Sequence, residues 1–262
     1  MEGKRKKSNK SRRIQAGNIH VCFRGNNRNV VFYDDNDYIE LLLRCNRFAN
    51  RYKTKVIAFA IMHNHAHFQI KTNNLTLFMR PFLNSYSRWY NMKYCMSGQV
   101  FSSPFMSSCK YTDEWLEKSV IYILNNPIKA SVCTNPRYYL WSSYHFYFGR
   151  RNPLAKYIEV DTSFVEERFK NRDALDLAIA SEISFDFERH DNIVNSCEKI
   201  PYNQVIEHFI KLLNKKTWLT LSKEECKKII AEIRRDTGAS YRQIASITHE
   251  SWEFVRRCCV AR

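Results

Sequence analysis

The chain has 262 residues, 44% of them hydrophobic, which is enough for a packed core in one or two domains. Forty-two Lys and Arg against 26 Asp and Glu give a formal charge of +16, which points to a polyanionic partner, nucleic acid ahead of an anionic membrane surface. No stretch approaches the roughly 18 apolar residues of a membrane span, and the N-terminus lacks a signal-peptide core, so no membrane attachment is expected.

Residues 1–15, with Lys4, Arg5, Lys6, Lys7, Lys10, Arg12 and Arg13, read as a basic arm without a core of its own. From Ile19 the pattern becomes α+β. Ile19 to Phe23 reads as a strand ended by the turn formers Gly25, Asn26 and Asn27. Asp37 to about Asn50 is an amphipathic helix offering Leu41, Leu42 and Phe48 to the core. Lys55–Ile61 and His65–Lys71 read as strands joined at His63-Asn64, and Leu75–Tyr94 as a long helix followed by a turn at Gly98. Thr112 caps a helix to Asn125, where Pro127 is expected to stop it and free the Asn126 amide. Strands interleaved with helices around a central hairpin predict an antiparallel sheet covered by helices on one side. Residues 160–180 read as helical, 183–202 as loop and 203–214 as a further helix. The nine cysteines include no C-x-x-C spacing and read as free thiols, not as a zinc or disulfide framework.

Chemistry concentrates on His65-Ala66-His67-Phe68-Gln69-Ile70-Lys71. Alternation puts His65, His67, Gln69 and Lys71 on one face and Ala66, Phe68 and Ile70 on the other, against the core. Two imidazoles at i and i+2 can meet one divalent cation, although ordinary polar strand positions produce the same spacing. On the helix after Thr112, Leu116, Val120, Ile123 and Leu124 form the apolar stripe. Tyr122 and Asn126 lie one turn apart on another face. Tyr86, Tyr90 and Tyr94 recur every four residues, as a packed stripe does.

Six segments in order add a resemblance. They are Val21-Cys22-Phe23-Arg24-Gly25-Asn26, Met62-His63-Asn64-His65-Ala66-His67, Arg88-Trp89-Tyr90-Asn91, Gly98-Gln99-Val100-Phe101, Tyr122-Ile123-Leu124-Asn125-Asn126-Pro127 and Trp141-Ser142-Ser143-Tyr144. Through them residues 19–148 resemble the catalytic domain of the HUH single-tyrosine transposases, in particular the REP-associated tyrosine transposase branch. The resemblance implies a ferredoxin-like sheet, metal ligation of Mg²⁺ or Mn²⁺ by His65, His67 and Asn126, and Tyr122 as nucleophile. It further implies a covalent phosphotyrosine on single-stranded or hairpin repeat DNA, in the cytoplasm at a bacterial nucleoid, by a monomer or a homodimer. His63, where relatives usually carry Pro, stands as a competing metal ligand.

Lys223–Arg235 reads as a helix turned by Gly238, Ser240 as the cap of a short helix to Ala245, and Ser251 as the cap of a last helix. Gly238 to Ala245 resembles the start of a helix-turn-helix, which makes Arg242, Arg256 and Arg257 candidate DNA contacts, beside Arg24 and Arg88 in the catalytic part; the alternative is a helical hairpin that only packs on the catalytic domain. The expected organisation is an arm to residue 15, a catalytic domain over 16–150, a connector over 151–202 and a helical DNA-binding domain over 203–262. Three functions compete: a strand-transferring enzyme, a non-catalytic sequence-specific regulator on the same fold, and a metal-dependent hydrolase that uses activated water.

Overall fold

The computed structural model describes residues 13–149, 152–181 and 200–260. The basic arm up to Arg12, most of the expected 183–202 loop and Cys197 lie outside the described residues. The eight described cysteines are free thiols.

The chain opens with strand β1 (Gly17–Arg24), helix α1 (Asp35–Arg51), strands β2 (Lys55–Met62) and β3 (His65–Thr72), helix α2 (Leu75–Lys93) and strand β4 (Met106–Lys110). The four strands form one antiparallel sheet in the order β2-β3-β1-β4, the split arrangement of a ferredoxin-like fold. Helix α1 starts two residues before the expected Asp37, because Asp34 accepts from the Asp37 backbone N–H in a reciprocal capping box. Asp37 is fully buried yet satisfied: Lys93, the Tyr94 hydroxyl and the Tyr33 N–H all donate to its carboxylate, which ties α1 to the end of α2.

Alternation along the strands divides the sheet into two unlike faces. Ile19, Val21, Phe23, Phe59, Ile61, Ala66, Phe68 and Ile70 pack beneath α1 and α2 with Phe78, Phe82 and Tyr86. Burying each large apolar side chain contributes roughly 1.5–3 kcal/mol, and this cluster supplies the main core. The opposite face does not meet solvent as a one-sided sheet would. Helix α3 (Asp113–Lys129) crosses it, with Leu116, Val120, Ile123 and Leu124 packed on Ala58 and Ala60 of β2. The expectation of helices on one side only is therefore corrected: the sheet is covered on both.

Two further differences bear on the site. Strand β4 was not legible, because Met106-Ser107-Ser108-Cys109-Lys110 is short and polar and sits at a sheet edge. Pro127 does not end α3, which runs to Lys129. Pro127 deprives the Ile123 carbonyl of its usual donor, but Ala130 still donates to the Asn126 carbonyl at 2.9 Å and Pro127 itself is buried, so packing carries the helix through.

The span expected as one helix over 160–180 is two, α4 (Ser163–Arg168) and α5 (Arg172–Ser181), separated where Asn171 Oδ1 accepts from Ala174 N–H at 2.9 Å. Helices α6 (Tyr202–Leu213), α7 (Lys223–Thr237), α8 (Tyr241–Thr248) and α9 (Trp252–Val260) enclose a second core of Val205, Phe209, Trp218, Ile230, Ile233, Ile244, Ile247 and Val255. Val30, from the loop after β1, is buried in that same core.

Candidate active site

Pairing of β1 with β3 sets Arg24 opposite His65, Cys22 opposite His67 and His20 opposite Gln69. Residues opposite one another in a ladder project to the same side, so these six side chains occupy the face that α3 covers. His65 is 7% exposed and His67 2%, against the solvated positions that a bare polar strand would give them. Their ring centres are 5.2 Å apart, with planes at 83°. Tyr122 enters from α3 and stands edge-on to two imidazoles, 5.7 Å from the ring of His67 and 5.7 Å from that of His20. The ammonium of Lys129 lies 5.1 Å over the Tyr122 ring.

The third imidazole was not singled out from the sequence. His20 Nε2 and His67 Nδ1 share a hydrogen bond of 3.0 Å, with the rings stacked at 5.2 Å. Its signal was present in the alternation Ile19-His20-Val21-Cys22, which places His20 away from the core. Only the register with β3 makes it a neighbour of His67.

Burial holds these rings neutral. It pushes His65 and His67 well below the usual imidazole range, with Arg24 and the neighbouring histidines adding to the effect, and brings His20 down to about 3, with Lys110 contributing. Neutral imidazole is the form that ligates a metal. His65 Nδ1–H donates to Asn64 Oδ1 at 2.7 Å, which leaves the Nε2 lone pair for a ligand. A separation of 5.2 Å between ring centres suits two nitrogen–metal bonds of about 2 Å each. Neutral imidazoles suit a divalent cation in donor chemistry, although here His67 Nδ1 bonds His20 Nε2 at 3.0 Å and its Nε2 lies 3.8 Å from Cys22 Sγ. Among the described residues no three His, Cys, Asp or Glu side chains converge on one point, so further positions around an ion fall to oxygen donors.

The remaining sequence-derived residues separate into groups. Asn126 is on α3 as expected, but its amide nitrogen donates to the Tyr122 carbonyl at 2.9 Å, so it is not the freed side chain past a helix end that Pro127 was expected to create. His63 is no competitor for a metal: its Nδ1 meets the Tyr38 hydroxyl at 2.9 Å and its Nε2 faces Glu207 at 3.5 Å, away from the His65 face. Arg24 lines a cleft of about 420 Å³ with Asn26, Arg28, Ser102 and Phe105, opening beside Cys22. Arg88 is elsewhere, exposed on α2 with Arg80 and Asn84 in a groove on the far side of the sheet. Arg242, Arg256 and Arg257 are exposed on α8 and α9, with the Arg256 guanidinium 5.7 Å over Trp252. Tyr86, Tyr90 and Tyr94 are buried packing residues, as their spacing indicates.

The chain is thus an α+β protein, a four-stranded antiparallel sheet whose histidine face is roofed by the tyrosine-bearing helix α3, followed by a helical C-terminal region. The family model described as "Transposase IS200 like" matches residues 13–126, somewhat under half of the chain. Among solved structures, a REP-associated tyrosine transposase bound to a REP hairpin is 15% identical, with a TM-score of 0.44, covering 52% of this chain and 83% of that one. No curated protein matches the sequence. No helix among the described residues is long and apolar enough to cross a membrane.

Proposed function

We propose that the chain nicks and rejoins single-stranded DNA at a hairpin or repeat, through a covalent link to Tyr122. The observation that carries this reading is the approach of the Tyr122 ring to His67 and His20 on the face that also holds His65. The phenol oxygen attacks the scissile phosphorus, the bond to the 3′ oxygen breaks, and the strand leaves with a free 3′-OH. The phosphotyrosine conserves the energy of the phosphodiester, so a second 3′-OH reverses the step without ATP. His65 and His67 would hold Mg²⁺ or Mn²⁺, with Asn126 as the candidate oxygen donor, and such a cation would supply Lewis-acid polarisation of the phosphate. Arg24 and Arg28 follow the strand through their cleft by pairing with phosphates. Residues 203–262 act as a DNA-binding module, with α9 entering a major groove and Arg242, Arg256 and Arg257 contacting phosphate or base.

The test is incubation of the full chain with hairpin-bearing single-stranded DNA drawn from the repeats flanking its gene, with Mg²⁺ or Mn²⁺. A protein–DNA adduct stable to denaturation is expected, and Tyr122→Phe should remove it completely. Cleavage that survives Tyr122→Phe would identify a hydrolase using water. Tight binding with no adduct on those repeats would identify a regulator.

A further inference from the structure

Asn64 is the hinge of a bonded chain that reaches the C-terminal helices. Its side chain is held at both ends: Oδ1 accepts from His65 Nδ1–H at 2.7 Å, and Nδ2 donates to the Arg28 carbonyl at 2.9 Å. Its main-chain carbonyl accepts from Gly25 N–H at 2.7 Å, while the His63 carbonyl accepts from Val31 and Phe32. The loop 25–32 therefore lies directly against the turn that begins β3. That loop is tightly folded: Asn27 and Arg28 both adopt left-handed backbone angles, and a Cβ on Gly25 would lie 2.2 Å from the Asn29 carbonyl oxygen.

The other side of the loop is gripped by the corner between α8 and α9. His249, itself left-handed, accepts at Nδ1 from the Asn29 amide at 2.8 Å and donates from Nε2 to the Val30 carbonyl at 3.0 Å. Ser246 donates to the Asn27 carbonyl, and Val30 is fully buried among the apolar side chains of α6 to α9. The α8–α9 corner thus holds the loop on both sides of Arg28, at Asn27 and at Asn29 and Val30, while the Arg28 carbonyl between them is bonded to Asn64.

From this continuity we infer that His249 and Ser246 are positioning residues for His65. They hold the loop, the loop presents the Arg28 carbonyl, and that carbonyl sets which end of the Asn64 amide faces the imidazole. An amide oxygen toward His65 makes Nδ1 the protonated nitrogen and leaves Nε2 as the lone pair on the site face. If the loop slackens, the amide can rotate and the tautomer preference is lost. The helical module, drawn above as a DNA-binding element, is on this view also part of the scaffold of the nicking site. The inference rests on the proposed function only in taking His65 as a metal ligand.

The test uses the full chain with ¹⁵N-labelled histidine, metal-free, reading the His65 ring by two-bond ¹⁵N–¹H spectra, followed by Mn²⁺ titration by calorimetry. The wild type should show one Nδ1–H tautomer. Asn64→Ala and His249→Ala should each give a tautomer mixture and weaken Mn²⁺ binding, Asn64→Ala by about 10-fold. The double variant should cost no more than Asn64→Ala alone, because both act through one amide. His249→Asn, which tolerates the left-handed backbone and keeps an amide donor, should restore much of the preference. Unchanged tautomer and affinity in His249→Ala would overturn the inference and leave the Tyr122 reading intact. Should His249→Ala lose the folded C-terminal helices, Ser246→Ala tests the same link and an unchanged His65 ring there overturns it equally. A tautomer change in a protein that binds no Mn²⁺ supports the positioning role and removes the metal reading instead.

Discussion

Ser119 donates to Gln69 Oε1 at 2.7 Å across the α3–β3 contact, while the fully buried Gln69 Nε2 has no hydrogen-bond partner among the described residues. Ser119 and Tyr122 are one turn apart on α3, so this bond helps fix the rotation of the helix that presents the phenol. Ser119→Ala leaves both polar ends of the Gln69 amide unpaired in a dry environment, and should cost about 1–3 kcal/mol of stability. Urea denaturation measures it, and a loss below about 0.5 kcal/mol would mean that the amide finds another partner. At this scale the sequence was readable wherever alternation or a helical turn grouped side chains within one element, as with His65, His67 and Gln69, or Tyr122 and Asn126. It was silent on His20 and Asn64. The first needs the register between two strands separated by α1 and β2, and the second acts through a hydrogen bond to its immediate neighbour, which no periodicity records.

Strands β1 and β3 together present a histidine face that α3 closes, and this fixes how the metal-free protein responds to acid. His20, His63, His65 and His67 all lie below the free imidazole value of about 6.5, chiefly through burial, with His63 at about 4. As pH falls, the unfolded chain takes up these protons before the folded one. The stability they contribute is whole above about pH 6.5 and drains away as pH drops toward 4, by roughly 1.4 kcal/mol per pH unit for each ring. Asp37 and Glu207, whose carboxyls burial pushes upward, oppose the trend at the acid end. Chelator-treated protein should thus show a urea midpoint that decreases steadily from pH 7 to pH 4, and a flat profile would mean the rings are hydrated. The elements themselves were largely legible because their apolar periodicities and caps agree. The exceptions share one cause, tertiary contact overriding local preference: Pro127 rides through α3 on packing, and β4 is a strand only because β1 offers it an edge.

Across the whole molecule, positive charge is distributed over separate surfaces: the cleft of Arg24 and Arg28, the groove of Arg80 and Arg88 on the far side of the sheet, and the exposed arginines of α8 and α9. If α9 tracks a duplex, log Kobs against log salt should lose about 0.9 in slope for each phosphate-pairing arginine removed. Fluorescence anisotropy on Arg256→Ala and Arg257→Ala at several salt concentrations checks this. A slope unchanged in both variants would make the helical module a packing element alone. How that module meets the sheet could not be read from the chain, since Asn27, Asn29 and Val30 look like an ordinary turn until Ser246 and His249 arrive more than two hundred residues later. The form of that meeting carries an evolutionary consequence. Two of its three acceptors or donors on the loop side, the carbonyls of Asn27 and Val30, are common to every amino acid. Drift at Asn27 is therefore largely invisible to the junction, whereas Asn29, the buried Val30, Ser246 and His249 carry the selective burden of keeping the two halves married.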